Sequence, residues 1–267
     1  MTNIQRIIKY LAIAFAFYLI VSIIMGILSI FNIIGNVNSK TNDKINYYNR
    51  VELNNNYSNL NINLKLTDIY IKEGEKFTLE TNNKHINIKQ DNDKIVIKEN
   101  NNVNLNGRYK ITLIVPTNKI FNNINIDTGA GVVNIEKLSS NNVNFDLGAG
   151  KTYINNLTVL NKTEIETGAG SVKINNSNLS NLDMDMGIGE VIINAFLNED
   201  NKIDTGIGKL DIKLLDKYEK YSFKINKGIG SIELNNEELK DNTNIENGNN
   251  KLKIDGGVGN INISTTD

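Results

Sequence analysis

Three sets of residues have the type and spacing to do chemistry. The first is a glycine pair that recurs seven times, as in "NINIDTGAGVVNI" and "KIDTGIGKLDI". A Gly-x-Gly after a strand is how a phosphate-binding loop begins, with bare backbone N–H groups open to an anion. A dinucleotide fingerprint then needs a third glycine and a helix. Here the residue three past the second glycine is Asn134 in the first unit, and strand-like alternation follows each pair. No nucleotide or other cofactor is expected.

The second set is a column of acids two residues before the first glycine: Asp127, Asp146, Glu166, Asp185, Asp204 and Asp255, with Asn226 in the sixth unit. Stacked carboxylates can hold divalent cations between levels, since calcium takes six to eight oxygens. The nonapeptide calcium-binding solenoid, however, has a much shorter period and sets its Asp after the glycines. The preferred reading is that each carboxylate caps its own turn through backbone N–H groups, or lies on a solvated face. Asp127, Asp146, Glu166, Asp185 and Asp204 stay as the candidates for a metal.

The third is His85 in "NNKHINIKQ", the chain's one imidazole. A single His cannot build a two-His metal site. The absence of Cys removes disulfides, thiolate chemistry and Cys-based zinc or iron–sulfur centres. Carboxylates and basic residues alone can cleave acidic polysaccharides, but catalytic sites break a pattern. These units repeat one set of polar residues with no singular cluster, so no catalytic residue is assigned and no enzyme is expected.

The elements that position these residues follow from the spacing. The glycine pairs are Gly129 and Gly131, Gly148 and Gly150, Gly168 and Gly170, Gly187 and Gly189, Gly206 and Gly208, Gly228 and Gly230, Gly257 and Gly259. The steps between pairs are 19, 20, 19, 19, 22 and 29 residues. Ile126, Phe145, Ile165, Met184, Ile203, Ile225 and Ile254 stand three before the first glycine. Branched or apolar residues, from Val133 to Ile261 and from Ile135 to Ile263, stand four and six after it, Thr152 excepted. Polar residues fill most positions between. Such alternation means strands with one buried face. A period near 20 residues with two short strands per unit means a stacked array, because one unit cannot bury its apolar face alone.

The expected fold is therefore all-β: a β-solenoid of about 20 residues per rung, its glycines turning the corners because they reach backbone conformations closed to other residues. Ala130, Ala149, Ala169, Ile188, Ile207, Ile229 and Val258 stand between the glycines. Their expected direction is inward, and the change from Ala to Ile suggests a core that widens along the axis. Residues 51–123 read as irregular N-terminal rungs that cap the column, and 124–267 as the Gly-x-Gly solenoid. "NNEELKDNTNIENGNN" is expected to fold over the far end. The heavy use of Asn, Ile and Lys reads as an A+T-rich genome, with Asn also suited to turns.

Before the column, Tyr10–Ile34 is 25 residues without a charge. A bilayer core takes about 20 as a helix. The run exceeds a secretory apolar core, and the stretch that ends it, "SIFNIIGNVNSK", offers no Ala-x-Ala, so an uncleaved single-pass transmembrane helix over 10–34 is expected. Residues 1–9 would form a cytoplasmic head and 35–50 a polar linker. The C-terminal domain would lie outside the cell, since long domains translocate largely regardless of charge. The net charge of −1 gives no field for nucleic acid.

"YKITLIVP", followed by "NKIFNNINIDTGAGVVNI" and further Gly-x-Gly units, resembles the putative-adhesin family of β-strand-repeat proteins, a bacterial envelope domain of unknown function. The resemblance covers about 51–267, and its most specific part is the single Pro116 with the following "TGAG". Members with an N-terminal membrane helix resemble accessory proteins of cell-envelope stress operons. The resemblance implies no catalytic residue and no cofactor. The departures are the extra loop at 235–254 and the Gly-Ile-Gly variants. The expected role is non-enzymatic: adhesin-like contact, or a structural or binding part in the envelope. The expected partners are the membrane and a cell-wall polymer or an envelope membrane protein. The alternative is regulation of envelope stress signalling through a membrane partner, and the third reading is a polysaccharide-acting enzyme.

Overall fold

The computed structural model describes residues 49–100 and 108–266. The expected head, transmembrane helix and most of the linker lie outside the described residues. No helix among the described residues is long and apolar enough to cross a membrane.

Seven strands precede the regular repeats: β1 (Asn49–Glu52), β2 (Asn59–Leu64), β3 (Thr67–Gly74), β4 (Thr78–Thr81), β5 (Ile86–Asp91), β6 (Lys94–Glu99) and β7 (Tyr109–Pro116). Five long strands follow, each bent through a glycine corner: β8 (Phe121–Ile135), β9 (Leu138–Asn155), β10 (Leu157–Ser180), β11 (Leu182–Asn198) and β12 (Asp200–Lys217). The chain closes with β13 (Tyr221–Asn226), β14 (Ile229–Leu234), β15 (Glu237–Glu238), β16 (Thr243–Ile245), β17 (Asn250–Asp255) and β18 (Val258–Thr266).

The strands stack in parallel and in register. Gly131, Gly150, Gly170, Gly189 and Gly208 lie one above another. The described residues give nine such layers, which at about 4.8 Å each make a column roughly 40 Å tall. In the middle layers each turn has a third side, where Leu157 pairs with Leu138 and Leu179 with Leu197.

The interior is the set of aliphatic rows. Ile165, Met184, Ile203, Ile254 and Ile225 are all fully buried, as are Ile154, Ile174 and Ile193. Burying each such side chain is worth about 1.5–3 kcal/mol, and stacking supplies the burial that no single layer could. Buried polar residues interrupt the rows, Thr152, Thr163 and Asn201 among them. Thr163 donates to Ser180 O, and Asn201 both accepts from Leu182 N–H and donates to Glu199 O and Lys251 O.

The stacking order departs from chain order at both ends. β17 and β18 pair with β12 on one side and with β13 and β14 on the other. The corner of Gly257 and Gly259 therefore sits between those of Gly206 and Gly228, and the steps of 22 and 29 residues record this jump rather than longer loops in an ordered series. After Lys217 a 3-10 turn, Tyr218–Lys220, carries the chain past the slot. The loop that follows covers the far layer, with β15 antiparallel to β14 and β16 antiparallel to β13. At the N-terminal end β2 and β3 are held between β8 and the pair β6 and β7. β5, β4 and β1 close that end in antiparallel fashion.

The corners explain the glycines. At Gly208, φ is +144° and a Cβ would lie 1.7 Å from Gly189 O in the layer beneath. Both the backbone conformation and the close approach exclude a side chain. The corner of the β2–β3 layer is the instructive exception, being Lys65-Leu66-Thr67 where later layers have Gly-x-Gly. There the fully buried Glu99 replaces the carbonyls of a lower layer. Its carboxylate accepts from Lys65 N–H at 2.6 Å, Leu66 N–H at 2.9 Å, Thr67 Oγ1 at 2.6 Å and Asn83 Nδ2 at 2.7 Å. One layer up, Ala130 N–H donates to Lys65 O at 2.6 Å.

One expectation is corrected here. The residue between the glycines points outward, not into the core. Ile207 is 37% exposed, Val258 45% and Ile229 73%, so the change from Ala to Ile marks an external ridge and not a widening interior.

Asparagine turns the other corners. Among the described residues, seven of the eight non-glycine residues with positive φ are Asn, including Asn156, Asn176 and Asn181. Asn side chains also link the layers. Asn194 Nδ2 donates to Asn175 Oδ1 at 2.9 Å, and Asn175 Nδ2 to Asn155 Oδ1 at 3.1 Å.

Candidate functional site: the outward face before the glycine corner

Each layer presents three outward residues on the strand that leads into its glycine corner, at alternate positions. Register places them in three columns. The column nearest the corner runs Asn63, Asp127, Asp146, Glu166, Asp185, Asp204, Asp255, Asn226. Six carboxylates thus stack on successive layers, with an Asn at each end. Asn63 Nδ2 donates to Asp127 at 2.5 Å and Asn226 Nδ2 to Asp255 at 2.5 Å. Among the described residues none of the six accepts a backbone N–H, so they are not turn caps; Asp127, Asp146, Glu166 and Asp185 are exposed, and Asp204 and Asp255 are half-buried. The corner N–H groups find Thr instead: Gly187 N–H donates to Thr167 Oγ1 at 3.2 Å and Gly257 N–H to Thr205 Oγ1 at 2.7 Å.

The next column runs Asn61, Asn125, Asn144, Glu164, Asp183, Lys202, Lys253, Lys224. The face is therefore zoned. It is amide-rich in the β2, β8 and β9 layers, acidic in β10 and β11, and lysine-bearing in β12, β17 and β13. In the lysine zone Lys202 leans on Asp204 and Lys253 on Asp255, the acid two residues along, both at 2.5 Å, while Lys224 has Asn226 at that place. The hydrogen bond to Asp204 raises the Lys202 pKa, and the bonds from Lys253 and then Asn226 lower that of Asp255. Asp146 on β9, and Glu166 and Asp185 in the acidic zone, have no ion-pair partner among the described residues. The third column begins with an amide chain, Asn142 to Asn123 to Asn59, that ends on Asp93 Oδ2 at 2.8 Å.

The five metal candidates fall on one column, one per layer. Among the described residues no group of three or more His, Cys, Asp or Glu side chains is placed to hold an ion. His85 lies apart from this face, in the N-terminal cap, where its N–H donates to Asn83 Oδ1 and its carbonyl accepts from Asn100. Sequence reasoning missed the lysine column. Reading the glycine-anchored alignment four positions back instead of two would have shown Lys202, Lys253 and Lys224, though not that they are neighbours in that order.

Glu99 and Asp68 are the other carboxylates with a defined task. Asp68 Oδ1 accepts from Val132 N–H at 2.7 Å, linking the β3 and β8 layers beside the corner, and burial raises its pKa.

Comparison with known proteins follows from this geometry. The chain resembles the crystal structure of a putative cell adhesion protein from Clostridium sporogenes, with 18% identity and a TM-score of 0.38 over 82% of this chain and 98% of that one. It also resembles a putative adhesin from Bacteroides fragilis, with 14% identity and a TM-score of 0.44 over 80% of this chain and 95% of that one. No curated protein matches. The family described as Toastrack DUF4097 matches residues 51–267, the whole of the stacked column with its caps, and the chain belongs to that family.

Proposed function

We propose that this protein is a non-enzymatic, membrane-anchored binding column at the outer surface of the cell. The apolar run Tyr10–Ile34 spans the membrane, residues 1–9 stay inside, and the column stands outside. The observation that carries the reading is the register of the outward columns. Like side chains recur at about 4.8 Å over successive layers, so a repeating ligand meets many equivalent weak contacts, which add through effective concentration. The working partner in this reading is a cell-wall polymer, and the contact is adhesin-like.

The test uses the full chain in its own membranes, with two readouts. Retention of wall polymer by the membrane-embedded protein, lost on competition with soluble polymer, supports the proposal. One crosslinked membrane protein with no polymer retention favours the alternative, an accessory regulator acting through its helix. External protease that removes the column from intact cells checks the orientation. Polymer shortened by the protein, with the loss of cleavage on one acid-to-amide change, would make it an enzyme.

A further inference from the structure

The lysine zone borders a groove of about 630 Å³. Lys202, Lys253 and Lys224 stand on successive layers along it, with Lys251 beside them. The opposite wall is β16 and the turn after it, with Asn244, Glu246 and Gly248. That wall is fixed to the sheet, since Ser222 Oγ donates to Gly248 O at 2.7 Å and accepts from Asn247 N–H at 3.1 Å.

The charges in the groove are not balanced. Lys202, Lys253 and Lys251 each have a carboxylate, Asp204, Asp255 and Asp200 respectively. Among the described residues Lys224 has none, because position 226 is Asn where six of the seven other layers carry an acid and one the capping Asn63. Stacked ammonium groups at about 4.8 Å repel by roughly 1 kcal/mol in water. An anion seated between Lys224 and its neighbours removes that repulsion and gives Lys224 its missing partner.

We propose that this groove binds a phosphate or carboxylate group carried on a hydroxyl-rich glycan. The anion sits against Lys224 and Lys253, with Lys251 at its edge. The amides of Asn244 and Asn247 and the other polar groups of the wall suit the flanking hydroxyls. The ligand's charge is local. A uniformly charged polyanion such as nucleic acid would run on along the column into Asp183 and Asp185 and be repelled there. The proposal rests on the binding reading above and names its anchoring site.

The test is calorimetric titration of the full chain in detergent with three probes: a uronate-containing tetrasaccharide, a glycerol-phosphate oligomer and a neutral chitin tetrasaccharide. One or both charged probes bind, the neutral one at least tenfold more weakly, and added salt weakens the charged interaction. Which charged probe binds identifies the group. Lys224→Gln lowers that affinity about tenfold, and Glu246→Gln, which removes the one acid of the wall, raises it. Both side chains are exposed, and unchanged melting of each variant separates lost binding from lost fold. Equal binding of neutral and charged probes, no binding of either charged probe, or wild-type affinity in Lys224→Gln overturns the assignment. If membranes bearing Lys224→Gln still retain wall polymer fully, the groove is wrong and the binding column stands; if wild-type membranes retain none, the binding column itself fails.

Discussion

The two ends of the column solve one problem in different ways. At each end a strand pair is slotted one layer inward, β2 and β3 at one end and β17 and β18 at the other, so neither lies on a free edge. Protecting an edge is necessary because a bare row of backbone groups invites another chain. The corners differ, however. At the N-terminal end the Glu99 carboxylate accepts the corner N–H groups of Lys65 and Leu66, and no glycine stands at 65–67. At the C-terminal end the corner at Ile229 is open and the glycines persist, because Gly230 still rests on Gly259 O. The contrast shows that the glycine rule follows from what lies beneath a corner, not from the turn alone.

Four substitutions or conditions sharpen that contrast. Gly208→Ala, in the interior of the stack, places a methyl group on Gly189 O and forces a disfavoured φ. A loss of about 4 kcal/mol or more is expected, read as a collapse of the denaturant midpoint or as failure to fold. Glu99→Ala strands two backbone N–H groups and two side-chain donors in a dry corner, for a loss of about 3 kcal/mol in the same measurement. An equal loss at an exposed acid such as Glu166 would contradict the plug.

The third is pH. Asp255 has its pKa held below the ordinary 3.8, so its contribution is complete above that value and is lost as pH falls through the folded-state value. Asp255→Asn should melt lower than wild type at pH 6, with the gap closing toward pH 2.5. A gap that widens on acidification would reverse the sign. The smallest effect is expected at the open corner. Ile229→Lys should change stability by no more than about 0.5 kcal/mol, because this side chain packs little.

The rows of the core were legible because alternation has a fixed period: Ile165 and Ile174 face inward as their spacing demands. Parity fails at the corner itself. The chain bends there, so counting in twos from Ile203 cannot say whether Ile207 faces in or out, and the structure puts it out. The stacking order was hidden for a different reason. β14 and β18 carry nearly the same corner, and either would fit on β12; the loop lengths reveal an insertion without saying where the strands land. Glu99 looked like an ordinary strand end in "KIVIKEN", since its partners at 65–67 are more than thirty residues away. The lysine column was visible only once β17 was known to lie between β12 and β13.

That slot is the claim on which the zoned face and the groove depend. The chain has no Cys, so paired cysteines can report it directly. Asp211 is level with Asn262, which is in turn level with Glu233. Oxidation of Asp211→Cys with Asn262→Cys should form a disulfide readily, as adjacent layers fall within the range of a disulfide. Asp211→Cys with Glu233→Cys, two layers apart, should not. The reverse outcome would mean that the layers stack in chain order and that the slot does not exist.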